Sequence, residues 1–244
     1  MKTNLPGAEL NQTAPGTEPK SKATKDQDTM KTNTIIFTLT TLTAAALLAG
    51  CGSTSGYKQA DKTGEGIADF RAEIGTGKQA IDAAMRSLDQ IALTATTDPR
   101  QAFEQYSKSV ANLESTAAKA RKRSQDMKEQ GKAYFAQWEK QMAELKNPEI
   151  RNLAVARKAK LQETFDTIAK VAGPLKSQFD PWMSDLKDLE KYLANDLTIA
   201  GVDAAKSLIA KTEDEGREVQ KSMDALVAEL NTVAATITPA KAAK

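Results

Sequence analysis

The sequence predicts an all-α protein, an elongated up-down-up-down four-helix bundle with antiparallel coiled-coil packing. From residue 67 almost to the end of the 244-residue chain, apolar residues recur at alternating steps of three and four, as on one face of an α-helix. The average step of about 3.5 predicts a left-handed supercoil. Short turn-forming segments divide this pattern into four, and connections of about two to six residues make consecutive helices antiparallel.

The first helix is predicted to begin at Ile67 and to end before the Thr-Asp-Pro segment at 97–99. Asp98 is suited to cap the next helix and Pro99 to occupy its first position, because proline lacks the amide hydrogen that would be unpaired there. The preceding residues 51–66 are small, polar and rich in glycine. They predict a flexible tether that reaches about 50 Å when extended.

The second helix is predicted over residues 99–145, and Asn147 followed by Pro148 marks the start of the third. The third apolar stripe runs on through Pro174 and Pro181. Each of these prolines removes one backbone hydrogen bond and crowds the preceding turn. Because the stripe is uninterrupted, we expect one kinked helix, with a helix broken at the prolines as the alternative.

The fourth helix follows the corner at residues 195–198 and has the most regular repeat, which ends near Ile237. Thr198 is the expected cap. The helical bundle domain is therefore predicted over residues 67–238, and residues 239–244 are expected to form a disordered tail.

Large side chains are expected opposite small ones between neighbouring helices, because this alternation fills a core without voids. If the third and fourth helices are antiparallel with their turn at residue 197, residues equally far from the turn are neighbours, and Trp182 lies beside Thr212 and Gly216. Folding the chain about residue 147 places two aromatic side chains opposite two alanines. These are Tyr134 and Trp138, opposite Ala156 and Ala159.

The segment before the helices has the pattern of an export signal. Residues 34–50 form an uncharged run after Met30 and Lys31, too short and too rich in threonine for a comfortable membrane-spanning helix. Residues 30–50 are therefore expected to be a signal peptide with Met30 as the initiator. Residues 1–29 are polar and lack periodicity, so we expect a disordered or wrongly assigned extension.

Leu48, Ala49, Gly50 and Cys51 resemble the bacterial lipobox. The resemblance implies that the signal peptidase recognises the first three residues and that Cys51, the chain's one cysteine, becomes a triacylated, palmitate-bearing N-terminus. Two or more acyl chains suffice for stable anchoring. In a Gram-negative host, Gly52 directs a lipoprotein to the outer membrane, so we expect the protein on the periplasmic face of the cell envelope. The alternative is an ordinary signal peptide followed by a chance buried thiol.

The composition argues against several kinds of chemistry. The chain has no histidine, so the commonest general base and metal ligand is absent, and one cysteine cannot form an internal disulfide or a thiolate zinc site. Thirty-four basic residues against 32 acidic ones leave a net charge of +2, which gives no general reason to expect nucleic-acid binding. We expect a protein that is not an enzyme and that takes no cofactor or metal.

Two motifs suggest chemistry that their context does not support. Residues 75–78, Gly-Thr-Gly-Lys, superficially resemble a phosphate-binding loop. However, Ala72 stands where the leading glycine belongs, and Gln79 stands where a hydroxyl must reach magnesium. Residues 213–215 are three consecutive carboxylates, which point about 100° apart on a helix, so we expect a solvated face.

The second helix carries two candidate binding surfaces. Lys119, Lys122 and Arg123 point away from the predicted core. The alternatives for them are a mixed solvated face and a patch for a polyanion such as lipopolysaccharide. An aromatic group lies further along the helix, where the alternatives are core packing and a partner-binding surface. Its members are Tyr134, Phe135 and Trp138.

Two stretches resemble a family of uncharacterised bacterial lipoproteins that is classified as a domain of unknown function. They are AYFAQWEKQMAELKNPEIR at 133–151 and DLKDLEKYLANDLTIAG at 185–201. The resemblance covers roughly residues 57–237. It implies a secreted, lipid-anchored, all-helical protein of proteobacteria and brings no active-site residues with it.

Three functions follow as alternatives. We expect first a membrane-anchored, non-enzymatic helical scaffold or adaptor, attached through lipidated Cys51, whose partner is an unknown envelope protein or a second copy of the chain. The second is a periplasmic binding module for a polyanion or an apolar envelope ligand such as lipopolysaccharide. The third, an enzyme that uses carboxylates alone, lacks a convergent pair in the sequence.

Overall fold

A computed structural model describes residues 55–238, which form four long α-helices and contain no β-strand. The helices pack in a ring, α1 against α2 and α4, and α3 against α2 and α4. The predicted all-α four-helix bundle is therefore confirmed. The bounds are α1 Gly56–Thr94, α2 Arg100–Ala143, α3 Pro148–Asn195 and α4 Ile199–Ile237.

The starts of α3 and α4 follow from the predicted capping residues. The Asn147 side chain accepts hydrogen bonds from the amides of Glu149 and Ile150, at 2.8 and 3.3 Å. Thr198 Oγ1 accepts one from the Gly201 amide at 3.1 Å. These bonds satisfy amides that have no partner within the first turn of a helix, and they confirm the predicted caps of α3 and α4. The prediction for α2 is off by one residue, because the helix begins at Arg100 with Pro99 at the cap position and without a side-chain capping bond.

The predicted tether is wrong for residues 56–66, because α1 begins at Gly56. Ala60, Thr63, Gly64 and Gly66 are buried, so the core-facing stripe continues to this end of the helix with small residues. Gly64 packs against Thr238, and Gly66 packs against Gln130. Glycine and threonine are typical of linkers, but here they let α2 and α4 approach α1 closely.

The third helix runs without a break through Pro174 and Pro181. The alternative of a broken helix is therefore wrong. Trp182, Met183 and Leu186 are buried immediately after the second proline. Their packing compensates for the backbone hydrogen bonds that the prolines cannot donate.

The predicted register is confirmed between α3 and α4 but not between α2 and α3. Trp182 Nε1 donates a hydrogen bond to the Thr212 carbonyl at 2.7 Å, and the same indole packs against Gly216. Ala156 and Ala159, however, are exposed. The inward face of α3 carries larger side chains instead, and Phe165 packs against Phe135 with ring centroids 5.9 Å apart. Counting residues from a turn predicts how far along the helix a residue lies, but it does not predict which face of the helix points into the core.

Several of the predictions concern residues outside the described range. These are the extension at 1–29, the signal peptide at 30–50, the lipidation site Cys51 and the tail at 239–244. None of the helices between residues 55 and 238 combines the length and the apolar character that a membrane span requires.

Candidate functional site

An apolar cleft opens between the middle parts of α2 and α3, the pair of neighbouring helices that packs least closely. Its volume is about 430 Å³. The two helices are joined on either side of it. On one side, Tyr106 Oη donates to the Leu186 carbonyl at 2.7 Å, and on the other Phe135 meets Phe165. Burial raises the pKa of the Tyr106 phenol well above its usual range, so this donor keeps its proton.

The cleft exists because small residues face small residues across it. Packing normally sets large side chains opposite small ones, and two facing stretches of small residues leave space. The wall on the α2 side consists of Ala117, Ala120 and Ser124, and the wall on the α3 side consists of Ala169, Ala172 and Gly173.

The floor of the cleft is the hydrophobic core itself. Phe70 and Ile74 reach it from α1, Leu113 from α2, and Leu226 from α4, and all four side chains are at most 4% exposed. A molecule in the cleft would therefore contact apolar side chains from every helix of the bundle. Such a lining favours an apolar occupant, because its burial removes hydrocarbon surface from water.

The rim of the cleft is basic. Arg121, Lys128 and Lys176 line it, together with one carboxylate, Asp180. Arg121 Nη2 lies 2.7 Å from Asp180 Oδ1, and its guanidinium lies 5.7 Å from the centre of the Phe179 ring. Neither lysine makes an ion pair with another residue in the range 55–238. Both therefore remain available to an anionic group at the mouth of the cleft.

The predicted polyanion patch consists largely of paired charges. Lys122 Nζ lies 2.8 Å from Asp126 Oδ2, and Arg123 Nη1 lies 3.4 Å from Asp69 Oδ2. Lys119 is exposed on the same helix. The pairs lower the local excess of positive charge, so the arrangement favours the mixed solvated face.

The aromatic group of α2 belongs to the core. Tyr134 and Phe135 are buried, with ring centroids 5.1 Å apart, and Trp138 stands edge-on to Tyr134 at 5.8 Å. The core interpretation is confirmed for the two buried rings. Trp138 is half-buried, and its Nε1 has no hydrogen-bond partner among the described residues.

The carboxylates at 213–215 do not converge. Asp214 pairs with Arg217, and Glu215 Oε1 lies 3.2 Å from Lys211 Nζ. Between residues 55 and 238, no group of three or more acidic, cysteine or histidine side chains is placed to hold a metal ion. A depression of about 640 Å³ beside these residues is lined mainly by charged and polar side chains.

The segment at 75–78 is continuous helix. Gly75 faces open space, and Lys78 forms an ion pair with Asp224 of α4. These residues therefore do not form a loop around a phosphate.

The sequence of α2 alone does not indicate the cleft. Ala117, Ala120 and Ser124 look like ordinary small core positions when α2 is considered alone. The signal was the second run, Ala169, Ala172 and Gly173, at the matching level of α3. Comparing the two runs across the turn would have indicated a gap.

The described residues define the class of all-α proteins, as a bundle of four helices with an apolar cleft between α2 and α3. Within that class, the chain belongs to the family described as Protein of unknown function (DUF2959), whose model matches residues 53–238. The predicted membership of a domain-of-unknown-function family is thus confirmed. Searches among curated proteins and among solved structures found no match.

Proposed function

We propose that this protein is a membrane-anchored, non-enzymatic envelope lipoprotein that binds an apolar ligand in the cleft between α2 and α3. The observation that carries the proposal is the pairing of small residues across that cleft, above a floor of buried hydrocarbon side chains. A bundle selected for stability alone would fill this space, because interiors pack to crystal-like density. The volume of about 430 Å³ lies within the range of about 300–1,000 Å³ that is usual for ligand sites.

The proposed anchor rests on the sequence. Cys51 follows Leu48, Ala49 and Gly50 in the lipobox pattern, and acylation there would hold the bundle at the periplasmic face of the outer membrane. An anchored bundle lies next to a large store of apolar molecules. This location supports a role in holding or passing on a lipid-like ligand.

Filling the cleft tests the binding proposal. Ala120 lies in its wall, and a leucine side chain there would occupy the space a ligand needs. We expect Ala120→Leu to weaken binding of the neutral fluorophore N-phenyl-1-naphthylamine at least about tenfold, a loss of roughly 1.4 kcal/mol. Fluorescence titration of the purified protein measures this change.

The matched control is Ala118→Leu, the same substitution on the exposed side of the same helix. It should leave the affinity unchanged. Equal affinities in the wild type and both variants would show that the fluorophore binds elsewhere and would contradict the proposal.

The second candidate is the adaptor function expected from the sequence. Large apolar side chains are exposed at the end of the bundle farthest from residue 55, where Leu93 is 68% and Ile199 51% exposed. Exposed apolar groups of this kind are typical of protein-binding surfaces when they cluster. Crosslinking in intact cells, comparing the wild type with Cys51→Ala, tests this candidate. A specific protein enriched only with the anchored form would support it, whereas the absence of any crosslinked protein would contradict it.

A further inference from the structure

The two ends of the bundle differ in charge. The end where α1 begins also holds the α2–α3 turn and the end of α4, and we call its residues 55–62, 139–160 and 231–238 the basic end. Arg157 donates to the Thr236 carbonyl at 3.3 Å, which joins α3 to α4 there. We call residues 86–104 and 188–209, at the opposite end, the acidic end.

The sequence distributes charge unevenly between these ends. Residues 139–160 contain six basic and three acidic side chains. Residues 55–62 contain two basic side chains and one acidic side chain. Residues 188–209 contain two basic and four acidic side chains. Residues 86–104 contain two basic and three acidic side chains. The basic end is therefore positive and the acidic end negative, which fixes the orientation the bundle would prefer at a negatively charged surface.

The basic end also exposes large apolar side chains on α3. Arg157 is level with Thr236, near the end of α4, so the first turns of α3 extend past the described part of that helix. Ile150 is 51% and Leu153 71% exposed on these turns. They share a helix face with Lys160, since steps of three or four residues return to the same side.

The short distance to Cys51 keeps this end close to the anchor. Because α1 begins at Gly56, the five peptide units from Cys51 span at most about 18 Å even when fully extended. Each helix of 39 to 48 residues is about 58–72 Å long. An anchor at Cys51 thus holds the basic end near the bilayer.

We propose that the basic end lies against an anionic phospholipid bilayer, with Ile150 and Leu153 in the headgroup region and Lys146 and Lys160 beside the phosphates. The inference rests on the lipid anchor of the proposed function but not on the cleft. Apolar side chains interspersed with basic ones are what binds a helix surface to an anionic interface.

The test uses the full mature chain, purified with its acyl chains and reconstituted in phosphatidylcholine vesicles with or without phosphatidylglycerol. An environment-sensitive fluorophore is attached at Leu153→Cys and, as the matched control, at Leu93→Cys of the acidic end. We expect a blue-shifted spectrum, quenched by lipid-attached spin labels, at position 153 only. The shift should be larger with phosphatidylglycerol.

A charge variant tests the electrostatic part of the inference. Lys146→Glu should lower the fraction of molecules whose fluorophore at 153 lies in the interface by at least about fivefold, because one basic side chain near anionic headgroups contributes about 1 kcal/mol and the new carboxylate is repelled. Lys108→Glu, an exposed change on α2 outside the basic end, should have no effect.

The possible failures can be told apart. A water-like spectrum at 153 in an acylated protein would overturn the inference and leave the cleft and the anchor standing. Mass spectrometry of the N-terminal peptide reports acylation separately, and an unmodified Cys51 would overturn both the anchor and the inference. If lipid-attached spin labels do not quench the fluorophore at 153 in vesicles, and a crosslinker at 153 captures a protein in intact cells, this end binds a protein partner instead.

Discussion

At the scale of single residues, the bundle is fixed by a few side chains that link two helices at once. Trp182 fills the space beside Gly216 and donates to the Thr212 carbonyl, and it is 1% exposed. Tyr106 links α2 to α3 in the same manner, through the Leu186 carbonyl. Each side chain combines hydrocarbon burial with one satisfied polar atom, so neither leaves an unpaired donor in the core.

Replacing Trp182 separates these two contributions. We expect Trp182→Ala to lower the free energy of unfolding by about 3–5 kcal/mol, because it opens a cavity and removes the hydrogen bond between α3 and the Thr212 carbonyl. Trp182→Phe should cost less, since it keeps most of the packing. Denaturant titration measures both variants, and an unchanged midpoint for Trp182→Ala would contradict the assigned contacts.

Glu213 is a residue whose ionisation opposes folding. Burial of its carboxyl group, followed by the charge on Asp89, raises its pKa above the ordinary value, and its Oε1 has no hydrogen-bond partner among the described residues. The folded chain therefore binds this proton more tightly than the unfolded chain. Its contribution to stability falls as pH rises from the ordinary pKa through the raised one.

We accordingly expect Glu213→Gln to raise Tm at neutral pH, because the glutamine side chain carries no charge for burial to disfavour. The difference should shrink as the pH is lowered towards about 4, where the carboxyl group is increasingly protonated. Thermal unfolding at several pH values measures this, with Glu218→Gln on the exposed side of α4 as the control. A difference in Tm that does not change with pH would contradict the stated cause.

At the scale of helices, glycine has opposite effects at different positions. Gly75 faces open space on α1, so a side chain there meets nothing within 4 Å. A Cβ at Gly216 would lie 2.5 Å from Met85 Sδ and 3.0 Å from Trp182 Cζ2. The first glycine only weakens its helix, whereas the second permits a close helix contact.

The two glycines give a matched pair of substitutions. Gly75→Ala should raise the free energy of unfolding by about 1 kcal/mol through helix propensity alone. Gly216→Ala gains the same propensity but overpacks the core, and we expect a net loss of about 1–3 kcal/mol. Equal effects of the two changes in denaturant titrations would disprove the close contact at Gly216.

The starts of α3 and α4 were predictable because a local signal defines each of them. Asn147 and Thr198 cap their helices through bonds to amides two or three residues away, so the sequence nearby is sufficient. The start of α1 and the cleft were not predictable in this way. Gly64 and Ala120 are meaningful only against Thr238 and α3, which lie far away in sequence, and a small residue looks the same in a linker, a close contact or a cavity wall.

At the scale of the whole molecule, ligand binding in the cleft, as proposed, would compete with stability. Its walls and floor together draw on all four helices, so an occupant would add contacts to every one of them. A ligand that binds only the folded chain raises stability in proportion to the logarithm of its concentration over Kd. An unfilled cleft, in contrast, lacks the packing that a solid core would have.

We therefore expect Ala120→Leu to raise Tm in the absence of ligand and to abolish the increase that N-phenyl-1-naphthylamine produces in the wild type. Side chains that fill a ligand site commonly add about 0.5–2 kcal/mol of stability. Calorimetric scans with and without the fluorophore measure both effects. If the variant has a lower Tm than the wild type and its Tm still rises when the fluorophore is added, the leucine side chain does not enter the cleft.

The short turns between the helices have a consequence for how quickly the native state forms. The residues between helices number only five, four and three, at 95–99, 144–147 and 196–198. Three of the four helix interfaces therefore join neighbours in the chain, and only α1 with α4 closes a long loop. Such local topology gives a low contact order, for which folding takes microseconds to milliseconds. A chain that reaches its compartment unfolded would thus expose its apolar stripes only briefly.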